Sequence, residues 1–130
     1  MFEDKKTIFG ATEKVILPDF ASIQLDAKID TGAWSGALHA ENIREINGEL
    51  VFEIGGEEFQ EKNFSKVKVR SASGHAQNRY KIPIRMMIMG REYNGEITLT
   101  NREQLTFEML IGRKFLAENG VLVDVNRKGI

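Results

Sequence analysis

The chain contains no cysteine, which excludes a disulfide framework, a thiol nucleophile, an iron–sulfur cluster and any cysteine-ligated zinc. A reducing compartment is compatible with that composition. Histidine is nearly as scarce: His39 and His75 are the only two, so few imidazoles are available to hold a metal. There is no charge excess of either sign, since 18 Lys+Arg stand against 19 Asp+Glu for a net charge of -1. A nucleic-acid partner is therefore not expected, because binding a phosphate backbone rests on clustered positive charge. Long apolar runs are also missing. The longest, such as Met86 to Met89, fall far below a membrane-spanning length, and the opening Met1-Phe2-Glu3-Asp4-Lys5-Lys6 is charged where an apolar leader would stand. These features lead us to expect a soluble, cytoplasmic protein with no membrane partner.

What is present suffices for a packed core. An apolar content of 42% over 130 residues fits one globular domain spanning 1–130. Period-two alternation, the mark of a half-buried strand, runs through Leu25/Ala27/Ile29, Leu50/Phe52/Ile54, Ile82/Ile84/Met86/Ile88 and Ile97/Leu99. Asn47-Gly48, Gly55-Gly56 and Asn94-Gly95 are expected to reverse the chain between them. One short helix is expected from about Arg113 to Asn119, stopped by Gly120 in a left-handed conformation, followed by a closing strand from Val121 to Val125. Met86, Met87 and Met89 read as core or strand-face fillers, and Gly56 to Lys62 as a solvated strand face. The fold class is all-β, with a closed or partly closed barrel and one short C-terminal helix.

Chemistry concentrates at Ala27-Lys28-Ile29-Asp30-Thr31-Gly32-Ala33, where an apolar strand ends in a carboxylate, a small hydroxyl and a glycine. Gly32 lets the chain turn tightly and bring backbone N–H groups to the Asp30 carboxylate, and the Thr31 hydroxyl is able to bond neighbouring backbone. The same three residues also make an ordinary turn. Late in the chain, Met109-Leu110-Ile111-Gly112-Arg113 forms an apolar strand, a glycine and a basic helix start.

This pair of motifs, in this order, resembles the retropepsin-like aspartic proteases. A closer resemblance, covering most of the chain, is to the bacterial and archaeal family described as ATP-dependent zinc proteases and associated with ribosomal-protein modification. It runs through Val15-Ile16-Leu17-Pro18, the Asp30-Thr31-Gly32-Ala33 segment, Ala37-Leu38-His39-Ala40, Ser71-Ala72-Ser73-Gly74, Ile97 to Arg102, Met109 to Arg113 and Val123-Asp124-Val125. Trp34-Ser35-Gly36 departs from the Arg-Thr-Ser usual in that family and removes a cation.

The resemblance implies a retropepsin-like single lobe and an aspartic-type endopeptidase. Asp30, Thr31 and Gly32 would form the catalytic loop, while Ala33, Trp34, Ser73 and Gly74 would contact a peptide or protein substrate. Hydrolysis by carboxylates needs two of them sharing a proton, and this chain has one Asp-Thr-Gly, so a homodimer is expected to supply the second Asp30. Val69 to Ala76 is a candidate flap with Gly74 at its tip, and Gly112 a candidate for close approach beneath the catalytic loop. The N-terminal strand and Val121 to Val125 are candidates for the interface sheet. Arg102 and Arg113 are able to pair with carboxylates near that loop.

The family's association with ATP-grasp ligases that add glutamate to proteins implies glutamate-modified substrates and a ligase partner. No phosphate-binding Gly-x-x-x-x-Gly-Lys-Ser/Thr loop occurs, so ATP would be handled by that partner. No cofactor is expected from the residues themselves. The zinc in the family's description would need a site assembled by the fold from His39 and His75 with Asp30 or Glu41, since His-Glu-x-x-His is absent. Two other readings stay open: a peptide-binding or assembly module without hydrolysis, and a zinc hydrolase.

Overall fold

A computed structural model describes residues 7–70, 74–102 and 104–129. Thirteen strands and one helix are assigned among them. In chain order they are β1 (Thr7–Phe9), β2 (Thr12–Leu17), β3 (Ile23–Asp30), β4 (Ala37–His39), β5 (Glu41–Ile46), β6 (Glu49–Ile54) and β7 (Glu57–Glu61). There follow β8 (Ser65–Arg70), β9 (Ala76–Ile88), β10 (Arg91–Thr100), β11 (Met109–Gly112), α1 (Arg113–Glu118), β12 (Val121–Val123) and β13 (Lys128–Gly129). The fold is all-β with one short helix, as the alternation requires.

The main sheet has the order β13-β2-β3-β11-β4-β10-β9-β8, and a further pairing of Ile16 with Met87 joins β2 back to β9. That closing bridge turns the sheet into a barrel-like ring. Inward positions alternate along each strand: Val15 and Leu17 on β2, Ala27 and Ile29 on β3, Ile82, Ile84, Met86 and Ile88 on β9 are all buried. The β5-β6-β7 meander forms a separate three-stranded sheet, whose Phe52 and Phe59 pack with Phe20 edge-to-face at 5.7 and 5.1 Å. β1 and β12 pair in parallel as a two-stranded sheet.

Asn47-Gly48 and Gly55-Gly56 do form hairpin turns, each with two consecutive positive φ angles, as primed turns require. Asn94-Gly95 does not. Those two residues lie inside β10, opposite Arg85 and Ile84, and the reversal falls at Met89-Gly90, with φ of 53° and 75°. Gly95 answers a packing demand instead, since a Cβ there would stand 2.7 Å from the Phe115 ring. Met89 consequently sits exposed at the turn, while Met86 is in the core. The closing strand ends at Val123, and Asp124 to Asn126 turn the chain back toward β13. No described helix is long and apolar enough to cross a membrane.

Candidate active site

Asp30 is the last residue of β3, where the strand lies beside β11 in parallel register with Gly112 opposite. Beyond it the chain turns at once: the Gly32 N–H donates to Asp30 Oδ1 at 3.0 Å, and the Ala33 N–H donates to the Asp30 carbonyl at 3.3 Å. One carboxylate oxygen is thereby held by a backbone donor, and the side chain stays partly accessible. Thr31 and Gly32 are exposed and Ala33 is half-buried, so the loop lies open rather than beneath the core.

Beneath the loop sits the start of α1, and each needs the other. A helix N-terminus leaves its first N–H groups without intrahelical partners, and the residue before this helix, Gly112, makes no side-chain cap. The loop after Asp30 supplies the acceptors: Arg113 N–H donates to the Ala33 carbonyl at 2.6 Å, and Lys114 N–H to the Trp34 carbonyl at 3.1 Å. Such closeness requires glycine. A Cβ on Gly112 would lie 2.7 Å from the Trp34 carbonyl oxygen and the Ser35 carbonyl carbon, and one on Gly36 would lie 2.8 Å from the Leu110 carbonyl oxygen.

Among the described residues Arg113 pairs with no carboxylate. Its Nη1 donates to the Thr31 carbonyl at 3.0 Å and its guanidinium stands 5.4 Å from the centre of the Trp34 ring. Trp34 is accordingly 54% exposed, an indole plate facing outward from the loop. Arg102 is not bridged to a carboxylate among the described residues either. Its Nε donates to the Phe107 carbonyl at 3.1 Å and its N–H to His39 Nδ1 at 2.7 Å. Their backbone partners come from loop closures that no sequence spacing announces.

Two clefts flank the loop. One, of about 310 Å³, is lined by Asp30 together with Lys28, Arg102, Phe107 and Leu110. The other, of about 250 Å³, lies beyond Trp34 and is lined by Gly36, Val67, Lys81, Thr98 and Phe115. Arg79 reaches toward this region from β9, its Nη1 3.3 Å from Thr98 Oγ1, which in turn donates to the Gly36 carbonyl at 2.8 Å. Burial lowers the pKa of Arg79. Burial, then the Arg79 charge, lower that of Arg102 as well, while the Asp30 carboxylate opposes them. The site thus carries two partly desolvated guanidinium groups that repel one another. Sequence reasoning missed both Arg79 and the role of His39, because an isolated Arg or His carries no local pattern.

β8 and β9 form a hairpin paired as far as Arg70 and Ala76, with exposed Gly74 at a φ of 86° near its tip. Val67 on β8 lines the cleft beyond Trp34. Ser73 lies outside the described residues. The donor set does not fit zinc: His39 spends Nδ1 on a backbone N–H and turns Nε2 toward Glu41, and His75 is exposed on the hairpin. Among the described residues no three His, Asp or Glu side chains gather at one point.

The family model for the RimB-like retropepsin-like aspartic endopeptidases matches residues 8–130. Curated relatives include a probable alpha-L-glutamate ligase of Shewanella pealeana, 32% identical over 93% of this chain, and another of Parasynechococcus marenigrum, 30% identical over 92%. The match takes in only 29% and 28% of those relatives, so this chain spans less than a third of their length. Among solved structures, a Legionella pneumophila protein of unknown function superposes with a TM-score of 0.66 at 25% identity, covering 95% of this chain and 97% of that one. Strand order, the Asp-Thr-Gly loop resting on a glycine and a helix start, and a match across nearly the whole chain converge, and the chain belongs to the RimB-like family of retropepsin-like aspartic endopeptidases.

Proposed function

We propose that this protein is an aspartic peptidase whose catalytic pair is Asp30 from each of two copies of the chain. The observation that carries the reading is the fastening of Asp30: a strand-end carboxylate, bonded by the Gly32 N–H and open to a cleft, at the head of a loop whose Ala33 and Trp34 carbonyls rest on the N-terminus of α1. One such carboxylate per chain requires a two-fold partner to complete the pair. Repulsion between the two keeps one proton bound. The ionised Asp30 takes a proton from water as the oxygen adds to the peptide carbonyl, and the protonated Asp30 donates to the carbonyl oxygen. Collapse of the tetrahedral diol then breaks the C–N bond, with proton transfer to the departing nitrogen.

The substrate that best fits is an acidic peptide, specifically a glutamate tail added to a protein. Lys28 and Arg102 line the cleft that holds Asp30, and Arg79, half-buried on β9 outside that lining, is close enough for its charge to act on Arg102. Desolvated cations that have no carboxylate partner among the described residues are stabilised by an incoming one. The relatives that contain a segment similar to this chain are named as probable glutamate ligases, which makes a glutamate ligase a fitting partner in the same system. Trp34, Ala33 and the hairpin tip at Gly74 would then contact the substrate backbone.

The test is cleavage of an oligoglutamate-tailed peptide, followed by mass spectrometry, with the wild type and Asp30→Asn. The variant is expected to lose more than about 10³-fold in turnover while keeping its thermal midpoint and solution mass. Unchanged turnover would remove Asp30 from the mechanism. Saturable binding without cleavage by the wild type would favour a peptide-binding module on the same fold.

A further inference from the structure

Arg102 is the one buried arginine among the described residues, 8% exposed, and it stands at the start of the loop that walls the Asp30 cleft. Two bonds place it. Its side-chain Nε donates to the Phe107 carbonyl, and its backbone N–H donates to His39 Nδ1 at 2.7 Å. A backbone N–H only donates, so Nδ1 is the unprotonated nitrogen and the ring proton lies on Nε2, which faces Glu41 Oε1 at 3.3 Å. The imidazole is 13% exposed and has no room to wander. It is anchored at its own end too, because β4 pairs His39 with Thr100 of β10 and the His39 N–H donates to the Glu108 carbonyl at 2.7 Å. His39 thus ties the strand after the catalytic loop to the first residue of the loop that presents Arg102.

We propose that His39 is a positioning residue: through Nδ1 it sets the place of Arg102, and through Arg102 it gives the Asp30 cleft its preference for a substrate side chain bearing a carboxylate. The inference rests on the acidic-substrate reading above and deepens it. A guanidinium discriminates a carboxylate from its amide by a charge-assisted hydrogen bond, and that discrimination depends on sub-ångström placement. Losing the Nδ1 acceptor frees the Arg102 backbone and spends the preference without touching the carboxylate pair. Asparagine at position 39 keeps an acceptor at the same distance from the backbone as Nδ1, whereas alanine keeps none.

The experiment measures, by calorimetry, binding of a tetraglutamate and a tetraglutamine peptide to protein carrying Asp30→Asn, so that no peptide is consumed. The series comprises the parent, Arg102→Gln, His39→Ala, His39→Asn and the Arg102→Gln/His39→Ala double variant, each checked for an unchanged thermal midpoint. The parent is expected to favour tetraglutamate by about tenfold or more. Arg102→Gln should abolish that ratio, His39→Ala should lose most of it, His39→Asn should restore it, and the double variant should do no worse than Arg102→Gln alone. A His39→Ala protein with the parental ratio, or losses that add in the double variant, would overturn the proposal. A parent without any preference would overturn it together with the acidic-substrate reading. A parent with the preference and the expected series, but no cleavage once Asp30 is restored, would leave His39 in its role and overturn only the peptidase reading.

Discussion

At the residue scale the site depends on atoms that are missing. Gly112 has no Cβ, and the space one would fill is occupied by the backbone of Trp34 and Ser35, which has nowhere to retreat because α1 starts directly below. Gly112→Ala therefore forces either the Asp30 loop or the helix start to move. The expected cost is about 1–3 kcal/mol, read from denaturant unfolding, with loss of peptide cleavage in the fraction that stays folded. Full activity at unchanged stability would show that the loop is softer than its bonding implies. Asp30, by contrast, is legible from sequence because strand-Asp-Thr-Gly is a local pattern with a local cause, the Gly32 N–H reaching back to the carboxylate.

Among the elements, α1 is short for independent stability and holds its place through what it touches. Phe115 and Leu116 enter the core, and Lys114 bonds Glu96 of β10 at 3.1 Å, a carboxylate also 3.7 Å from Lys81. The Lys114 hydrogen bond holds Glu96 below its ordinary pKa of 4.5 against the upward push of burial, and the charges of Lys81 and Lys114 add to the lowering. A depressed carboxylate stabilises the fold above its unfolded pKa, and that contribution fades as pH falls through the lower folded value. Glu96→Gln is accordingly expected to lower the thermal midpoint slightly at neutral pH, the half-exposed pair being screened by solvent, and to match the parent in strong acid. An equal deficit at both pH values would mean that packing, not charge, links α1 to β10.

Elements also show where pattern reading stops. The strands were legible wherever one face is buried, because alternation records that burial. Asn94-Gly95 carries strong turn chemistry yet lies in a strand, since the glycine there makes room for Phe115, a residue twenty positions later. Met89-Gly90 turns the chain without an Asn or Asp to announce it.

For the whole molecule, the proposed catalytic pair turns on a second copy of the chain. The β1–β12 ribbon sets Ile8 opposite Leu122, 41% and 52% exposed, with Val125 close behind at 74%. An apolar ribbon edge of this kind suits pairing with its own two-fold copy. Leu122→Asp is expected to shift the solution mass from two chains to one, as read by light scattering across a concentration series, and to abolish cleavage while circular dichroism stays unchanged. A variant that remains dimeric and active would place the interface elsewhere.

The amino-acid order by itself determined the fold class, most strands, two of the hairpin turns, the helix with its Gly120 stop, and the Asp30 loop. All of these arise from interactions among residues a few positions apart, or from a burial period written along one strand. Only the tertiary structure decided that the loop at Ala33 and Trp34 supplies the acceptors for α1, that Gly95 yields to Phe115, and that Arg113 braces Trp34. It alone decided that His39 takes the N–H of Arg102, 63 residues away. Such contacts join positions with no periodic relation, and the charge left beside Asp30 follows from which partners the fold spends elsewhere.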